Sequence, residues 1–124
     1  MTGPRSDLAT RLDAAAAANV TVFAEEPAYP PALPALLVRP GSPYRELSAA
    51  QPDCIERWRL EVVAVVPIDT LTPLDDLDDL ITVTRDVVRA MPYATWLGVR
   101  SAPAVLSIGG KSMHGALADC YVEV

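Results

Sequence analysis

The stretch TPLDDLDDLITVTRDVVRAM, Thr72–Met91, decides how the rest of this chain must fold. Thr72 and Pro73 mark a helix start, because a threonine hydroxyl can accept from first-turn amides and proline needs no partner for its missing N–H there. Pro92 follows the stretch and ends the helix. The pattern predicts a helix of about five turns.

This predicted helix is amphipathic. Apolar and small side chains recur at spacings of three and four residues and form one stripe, whereas the opposite side is charged. Each fully buried Leu or Val contributes roughly 1.5–3 kcal/mol of stability, so the stripe requires a sheet to pack against. The stripe comprises Leu74, Leu77, Leu80, Ile81, Thr84, Val87, Val88 and Met91, and the charged side comprises Asp75, Asp79, Asp86 and Arg89.

The segment before the helix, Arg57–Val66, has the clearest strand pattern in the chain. Its alternate residues divide into an apolar face and a charged face. Val63 and Val65 make its second half apolar on both faces, so that half is either central in the sheet or part of an interface. The apolar face comprises Trp58, Leu60, Val62, Ala64 and Val66, and the charged face comprises Arg57, Arg59 and Glu61.

After the helix, Leu97–Ile108 and Lys111–Val124 are predicted to form a β-hairpin around Gly109-Gly110. Gly-Gly is a common two-residue hairpin signal. Pro103 places an edge position, a bulge or a break in the first arm, because proline cannot donate to a regular ladder.

Two further strands are predicted upstream, at Val20–Ala24 and Leu33–Arg39, after a short Ala-rich helix that Ser6 begins. The dipeptide Pro40-Gly41 is predicted to end the second strand.

A long connection, Gly41–Glu56, then leads to the strand before the central helix. Connections in compact domains typically have ~4–6 residues, and this one has about fifteen. It carries Tyr44, Leu47 and Ile55 among polar residues. Such a loop either folds back on its own domain or meets a partner, and both alternatives stay open.

Together these elements predict one α+β domain over residues 1–124. We expect a single mixed or mostly antiparallel sheet with both helices on one face, in the order α-β-β-β-α-β-β. A chain of this length can bury about two-thirds of its unfolded surface without a metal or a disulfide.

Composition and charge exclude several classes of function. The net charge of −6 argues against a nucleic-acid groove, and there is no basic stripe for an anionic membrane. We expect no membrane span and no signal peptide, since the apolar Ala14–Ala18 run is too short. Cys54 and Cys120 are too far apart for a CxxC or zinc pattern, and the alternation around Cys120 favours a buried thiol in a reducing cytoplasm.

No catalytic, cofactor or metal site is predicted. The GKS at residues 110–112 matches the end of a phosphate-binding loop, but Val105 stands where that loop needs glycine and no helix follows. The four aspartates within residues 75–79 project over too wide an arc to converge on one ion. His114 has no partner arrangement for a triad in its strand.

Six segments, taken in order, carry a resemblance to a known family. Over nearly its whole length, the chain resembles the tail terminator (tail completion) proteins of long-tailed bacteriophages in the order and length of these elements and in their residue patterns. The segments are SDLATRLDAAAA, VTVFAEEPAYP, LLVRPGSPY, RWRLEVVAVVP, LDDLDDLITVTRDVVRAM and VLSIGGKSMHGALADCYVEV.

The resemblance implies a structural virion protein rather than an enzyme, with no cofactor. Its copies would form a homo-oligomeric, six-fold ring at the head-proximal end of the tail, after assembly in the host cytoplasm. The ring would cap the tail tube protein, end its polymerisation and meet the head-completion (connector) protein. DNA would pass through it without specific binding. Candidate subunit contacts are the apolar residues Tyr44, Leu47 and Ile55 of the long connection and Val63 and Val65 of the strand.

Two other classes of function remain as alternatives. One is a cytoplasmic α+β module that binds a small ligand or a protein partner, typically as a dimer. The other is a small enzyme that uses His114. The mass of the protein in solution would separate a ring from a dimer.

Overall fold

A computed structural model describes residues 3–25, 32–47, 56–100 and 102–123, apart from the side chains of Pro43, Glu46 and Leu47. The elements follow the predicted order, with the hairpin's first arm divided in two. Within these residues they are α1 (Pro4–Ala15), β1 (Thr21–Phe23), β2 (Ala35–Leu47), β3 (Glu56–Pro67), α2 (Pro73–Ala90), β4 (Ala94–Val99), β5 (Ala104–Ile108) and β6 (Lys111–Glu123).

The six strands form one mixed sheet in the order β1-β2-β3-β6-β4. β1 runs parallel to β2, and the other pairs are antiparallel. β4 and β5 follow one another along the outer edge of β6. The predicted α+β class and single mixed sheet are therefore confirmed.

Both helices cover one face of this sheet, as predicted. Leu8 and Leu12 of α1 and Leu77 and Val88 of α2 belong to the same buried cluster as alternate residues of β2, β3 and β6. The cluster includes Leu60 and its neighbours on the apolar face of β3, so the predicted alternation of that strand is also correct.

The helix boundaries differ in detail from the sequence expectations. α1 begins at Pro4 after Gly3 rather than at Ser6, because proline suits the first helical position. Thr72 precedes α2, but its hydroxyl donates to the Asp76 carboxylate at 3.1 Å instead of accepting from an amide. Leu74 is exposed, because burial along α2 begins only at Leu77, one turn later.

β2 does not end at Pro40-Gly41, so this expectation was wrong. Pro40 pairs with Leu60 and Arg45 pairs with Trp58, which leaves four residues of β2 opposite one residue of β3. This large bulge lies in a segment that contains two prolines, and proline cannot donate to a regular ladder. The predicted connection Gly41–Glu56 is therefore strand as far as residue 47.

The predicted hairpin is confirmed, and Pro103 marks a break. Gly109 and Gly110 form its turn with φ of 61° and 81°, the left-handed conformation that a two-residue hairpin loop requires. The first arm is divided into β4 and β5, and it begins at Ala94, three residues before the predicted Leu97.

Candidate assembly surfaces

The apolar residues predicted to lie at subunit contacts do not form one surface among the described residues. Tyr44 is half-buried and meets the ring of Trp58 edge-on, with centroids 5.3 Å apart, so it folds back on its own domain. Leu47 ends β2, and its side chain is not among those described. Ile55 lies outside the described residues, so its role stays a prediction.

Val63 and Val65 occupy the centre of the sheet. Both are fully buried on the face away from the helices, in a second apolar cluster with Leu37, Ile108 and Met113. The sequence left two alternatives for this half of β3, a central position in the sheet or an interface, and the structure shows the central position. These valines offer no exposed area to a neighbouring subunit, and we remove them from the candidate contacts.

A charged network fills the other half of this second face. Glu61 and Asp119 are direct partners on neighbouring strands, and both are buried. Arg39 donates to Glu61 through Nε at 3.0 Å. Arg100 binds both acids: its Nη2 lies 2.6 Å from Glu61, and its Nε and Nη2 donate to Asp119 at 3.0 and 2.5 Å.

The arginines of this network neutralise its two buried carboxylates. Two carboxylates opposite one another on adjacent strands would repel, and Arg100 bridges them. The hydrogen bond from Arg100 to Asp119 raises the pKa of Arg100, with the charge of Glu61 adding to the effect. Arg59 extends the network, since its Nη1 donates to the Tyr121 hydroxyl at 3.3 Å and its Nη2 lies 3.6 Å from Asp119.

The described part of the chain shows no metal-binding cluster, and neither His114 nor Cys120 lies in an arrangement suited to catalysis. Among those residues, no three His, Cys, Asp or Glu side chains are placed to hold a metal ion. His114 lies between Val66 and Val105 across the sheet, and neither can serve as an acid or base. Cys120 is buried, as predicted. Burial, aided by the charge of Asp119, raises its pKa to about 12.

Exposed apolar residues gather at one end of the sheet, which we call the turn end. Here β3 ends at Pro67 and the β5–β6 turn lies beside it, because Pro67 pairs with Met113. Four of the seven large apolar side chains exposed among the described residues belong to this end, and Leu71 is 97% exposed. The four are Ile68, Leu71, Leu74 and Val105.

A groove of about 390 Å³ opens at the turn end, between the end of α1 and the first half of α2. Its walls are largely apolar, and Asp76 and Asp79 also line it. Asp76 is held by Thr70 at 2.7 Å and by Thr72. The sequence has no Lys or Arg from residue 60 to residue 84, so the part of this end formed by the start of α2 is apolar and acidic, whereas the β5–β6 turn carries Lys111.

The opposite end of β3 carries aromatic rings and arginines, and we call it the aromatic–arginine end. The guanidinium of Arg45 lies 4.4 Å from the centre of the Trp58 ring, and that of Arg57 lies 4.0 Å from the Tyr121 ring. The hydrogen bond from Arg45 lowers the pKa of Glu56. With Tyr44, these residues define the surface.

The sequence contained only part of this information. The alternation along β3 predicted its charged face. It did not predict that Glu61 lies opposite Asp119, because those residues are 58 positions apart (119 − 61) and on different strands. The turn end had a local signal that was overlooked. Three large apolar residues occur in seven positions between a strand and the buried part of a helix, at Ile68, Leu71 and Leu74.

In the described part of the chain, neither helix combines the length and apolar character needed to cross a membrane. Comparison with protein-family models and with curated proteins yields no match to this chain. The functional assignment therefore depends on the surfaces described above.

Proposed function

We propose that this chain is a structural virion subunit whose copies close into a ring at the head-proximal end of a phage tail. The ring caps the tail tube, ends its polymerisation and forms part of the interface with the head-completion protein. One observation carries the proposal: among the described residues, four of the seven exposed large apolar side chains gather at the turn end of the domain.

Such a concentration favours protein assembly. Single exposed apolar residues are common on any protein, but a group of them beside a groove is typical of a protein–protein contact. Leu71 is almost completely exposed, and Leu74 and Ile68 lie within three residues of it. The isolated chain gains nothing from this arrangement, whereas an assembled chain buries it.

The charges fit a ring around DNA. A protein that holds DNA neutralises phosphates with a basic groove. Here the net charge is −6, and the arginines of the second face are bound to Glu61 and Asp119. A lumen formed by such subunits lets DNA pass without specific binding.

The test is polymerisation of the tail tube protein encoded in the same genome, with and without this chain. We expect added protein to stop tube growth and to be visible by electron microscopy as a ring at one tube end. A variant with Leu71→Asp and Leu74→Asp should lose this effect, whereas Thr82→Asp, on an exposed part of the same helix, should retain it.

Unchanged tube growth with the folded wild-type protein would overturn the proposal. A compact two-fold dimer in solution that never binds tubes would instead favour a cytoplasmic binding module, since dimers with one self-complementary patch do not form larger rings.

A further inference from the structure

We infer that the groove at the turn end binds a partner segment in which a lysine or arginine is flanked by apolar side chains. The inference deepens the proposed function and rests on it for the identity of that partner, the tail tube protein. Three properties of the groove support this assignment: its size, its charge and the apolar surface beside its mouth.

The size of the groove suits a few side chains. Its volume of about 390 Å³ lies toward the lower end of the range for ligand pockets, roughly 300–1,000 Å³. Aliphatic residues, among them Val20, Val66 and Leu80, form much of its wall. Such a wall accommodates the methylene stem of a lysine or arginine, which packs on apolar surface while its charged head stays near water.

Two carboxylates line the groove without a basic counter-charge. Asp76 accepts hydrogen bonds from Thr70 and Thr72, which hold its carboxylate in place. Asp79 lies almost one turn further along α2 and is exposed. All ten Lys and Arg residues of the chain are among the described residues, and none of them lines the groove. The groove therefore presents negative charge that favours a cation.

The end of α1 adds to this negative potential. α1 ends at Ala15 with no basic residue in its last turn, and Ala16 and Ala17 directly after it line the groove. The last carbonyl groups of a helix carry a partial negative charge. The start of α2 has the opposite polarity, but Asp76 lies in its first turn and offsets it, whereas Asp79 lies beyond that turn.

Lys111 also belongs to the turn end, but it lies on the opposite side of the sheet from the groove. Successive residues of a strand face opposite sides, and Lys111 has the same parity in β6 as Met113 and Leu117. Those two residues belong to the apolar cluster away from the helices, whereas the groove lies between the helices. Lys111 is therefore not placed to neutralise the acids of the groove.

The surface beside the mouth favours a protein partner over a free small cation. Leu71 directly follows the groove residue Thr70 and is almost fully exposed, and Ile68 and Leu74 are exposed close to it in the chain. A free cation would leave these side chains in water. A protein segment that enters the groove covers them as well, and such coverage is what a group of exposed apolar residues indicates.

A second copy of this chain is a poor source of the cation. Eight of its ten basic side chains already contact an acidic or aromatic partner within the chain, and the other two are Arg89 and Lys111. A foreign partner is therefore preferred. The eight are Arg5, Arg11, Arg39, Arg45, Arg57, Arg59, Arg85 and Arg100.

Binding of n-butylguanidinium, which has the head group and the stem of an arginine side chain, tests the cation site directly. Backbone amide chemical shifts of the labelled chain are followed by NMR during the titration, with pentanamide as the uncharged control. We expect saturable shifts at Ala17, Thr70 and Asp79, with a Kd on the order of 1–10 mM for so small a ligand. Pentanamide should bind at least about fivefold more weakly.

Matched substitutions separate the groove from the general charge of the chain. Asp79→Asn should weaken n-butylguanidinium binding about fivefold, the size of effect that loss of one exposed ion pair produces. Asp86→Asn should not, because Asp86 is exposed on the same helix and does not line the groove. Ala17→Trp should block the groove, and Ala18→Trp, exposed but outside the lining, is its control. Urea unfolding checks that all four variants are folded.

The same four variants test the partner. Binding to tubes of the tail tube protein is measured for each chain, and Asp79→Asn and Ala17→Trp should weaken it at least about fivefold relative to their controls. Spermidine and the chain alone at increasing concentration are titrated in parallel by NMR.

Equal binding of pentanamide and n-butylguanidinium, or amide shifts that Asp79→Asn does not reduce, would overturn the cation site. Groove shifts that appear on concentrating the chain alone would show that a second copy occupies the groove. Binding of spermidine tighter than that of the tube protein would show a free cation there. Either result would overturn the choice of partner.

Failure of this inference is distinct from failure of the proposed function. Wild-type capping by the folded Asp79→Asn and Ala17→Trp variants would remove the groove from the contact and leave the function standing. Groove binding of n-butylguanidinium by a chain that never caps tubes would leave the cation site standing and remove the function.

Discussion

Replacement of Arg100 by methionine tests whether the charged network on the second face stabilises the fold. Arg100 donates twice to Asp119 and also lies 2.6 Å from Glu61. Methionine keeps much of the side-chain volume and removes the charge. The variant leaves two carboxylates facing one another on adjacent strands, both buried and with one fewer arginine between them.

The expected cost is about 2–3 kcal/mol of unfolding free energy. Breaking a fully buried ion pair costs roughly 3–5 kcal/mol, because one charge stays buried without its partner. Arg100 is 43% exposed on its side chain, so solvent screens part of its attraction. Glu61 also keeps Arg39, and Asp119 keeps Arg59 at 3.6 Å, which reduces the loss further.

Urea unfolding followed by tryptophan fluorescence measures the loss. Arg85→Met is the matched control, because Arg85 pairs with Asp86 at 3.2 Å on the exposed side of α2 and such pairs contribute about 0–1 kcal/mol. Adding Asp119→Asn to Arg100→Met should recover part of the stability, since it removes the repulsion. Equal losses for the Arg100 and Arg85 variants would refute the role assigned to the network.

Three further predictions concern the two cores. Leu77→Ala should cost roughly 2–5 kcal/mol because Leu77 is buried, whereas Asp79→Ala should leave the urea midpoint nearly unchanged. In a variant lacking the other cysteine, Cys120 should resist maleimide in the native protein at pH 8 and react on unfolding. Its pKa rises from 9.0 to about 12 on folding, so its contribution to stability is complete below pH 9 and is lost as pH rises toward 12. Gly115→Ala should cost about 1–3 kcal/mol, since its Cβ would lie 2.3 Å from Leu106 Cδ1, and Leu106→Ala should remove most of that penalty in a double mutant.

Local signals in the sequence were sufficient for the central elements of the fold. The apolar stripe of α2, the alternation of β3 and the Gly109-Gly110 turn each depend on neighbours a few residues apart. Packing of the helix and strand against one another follows from their apolar faces. For this reason the α+β class and the common face of the two helices were predictable without any homologue.

Features that depend on pairing between distant residues were not predictable. Nothing near Pro40 indicates that β2 continues as a bulge, because the strand is held there by Trp58 and Leu60 on β3. The link between Glu61 and Asp119 likewise needs the register of β3 and β6. Alternation along one strand gives the face of a residue but not its partner on the next strand.

The charge asymmetry of α2 connects the local stability of that helix with the proposed assembly surface at the turn end. Aspartates at the start of a helix and arginines near its end both interact favourably with the helix dipole. In this fold the same pattern places Asp75 and Asp78 beside the exposed Leu71 and Leu74, whereas Arg89 lies toward the other end. The acids therefore have a local reason to be where they are, but the leucines do not. Substitution separates the two roles: Leu71→Asp with Leu74→Asp should remove tube capping while the urea unfolding midpoint changes little, because both leucine side chains are exposed.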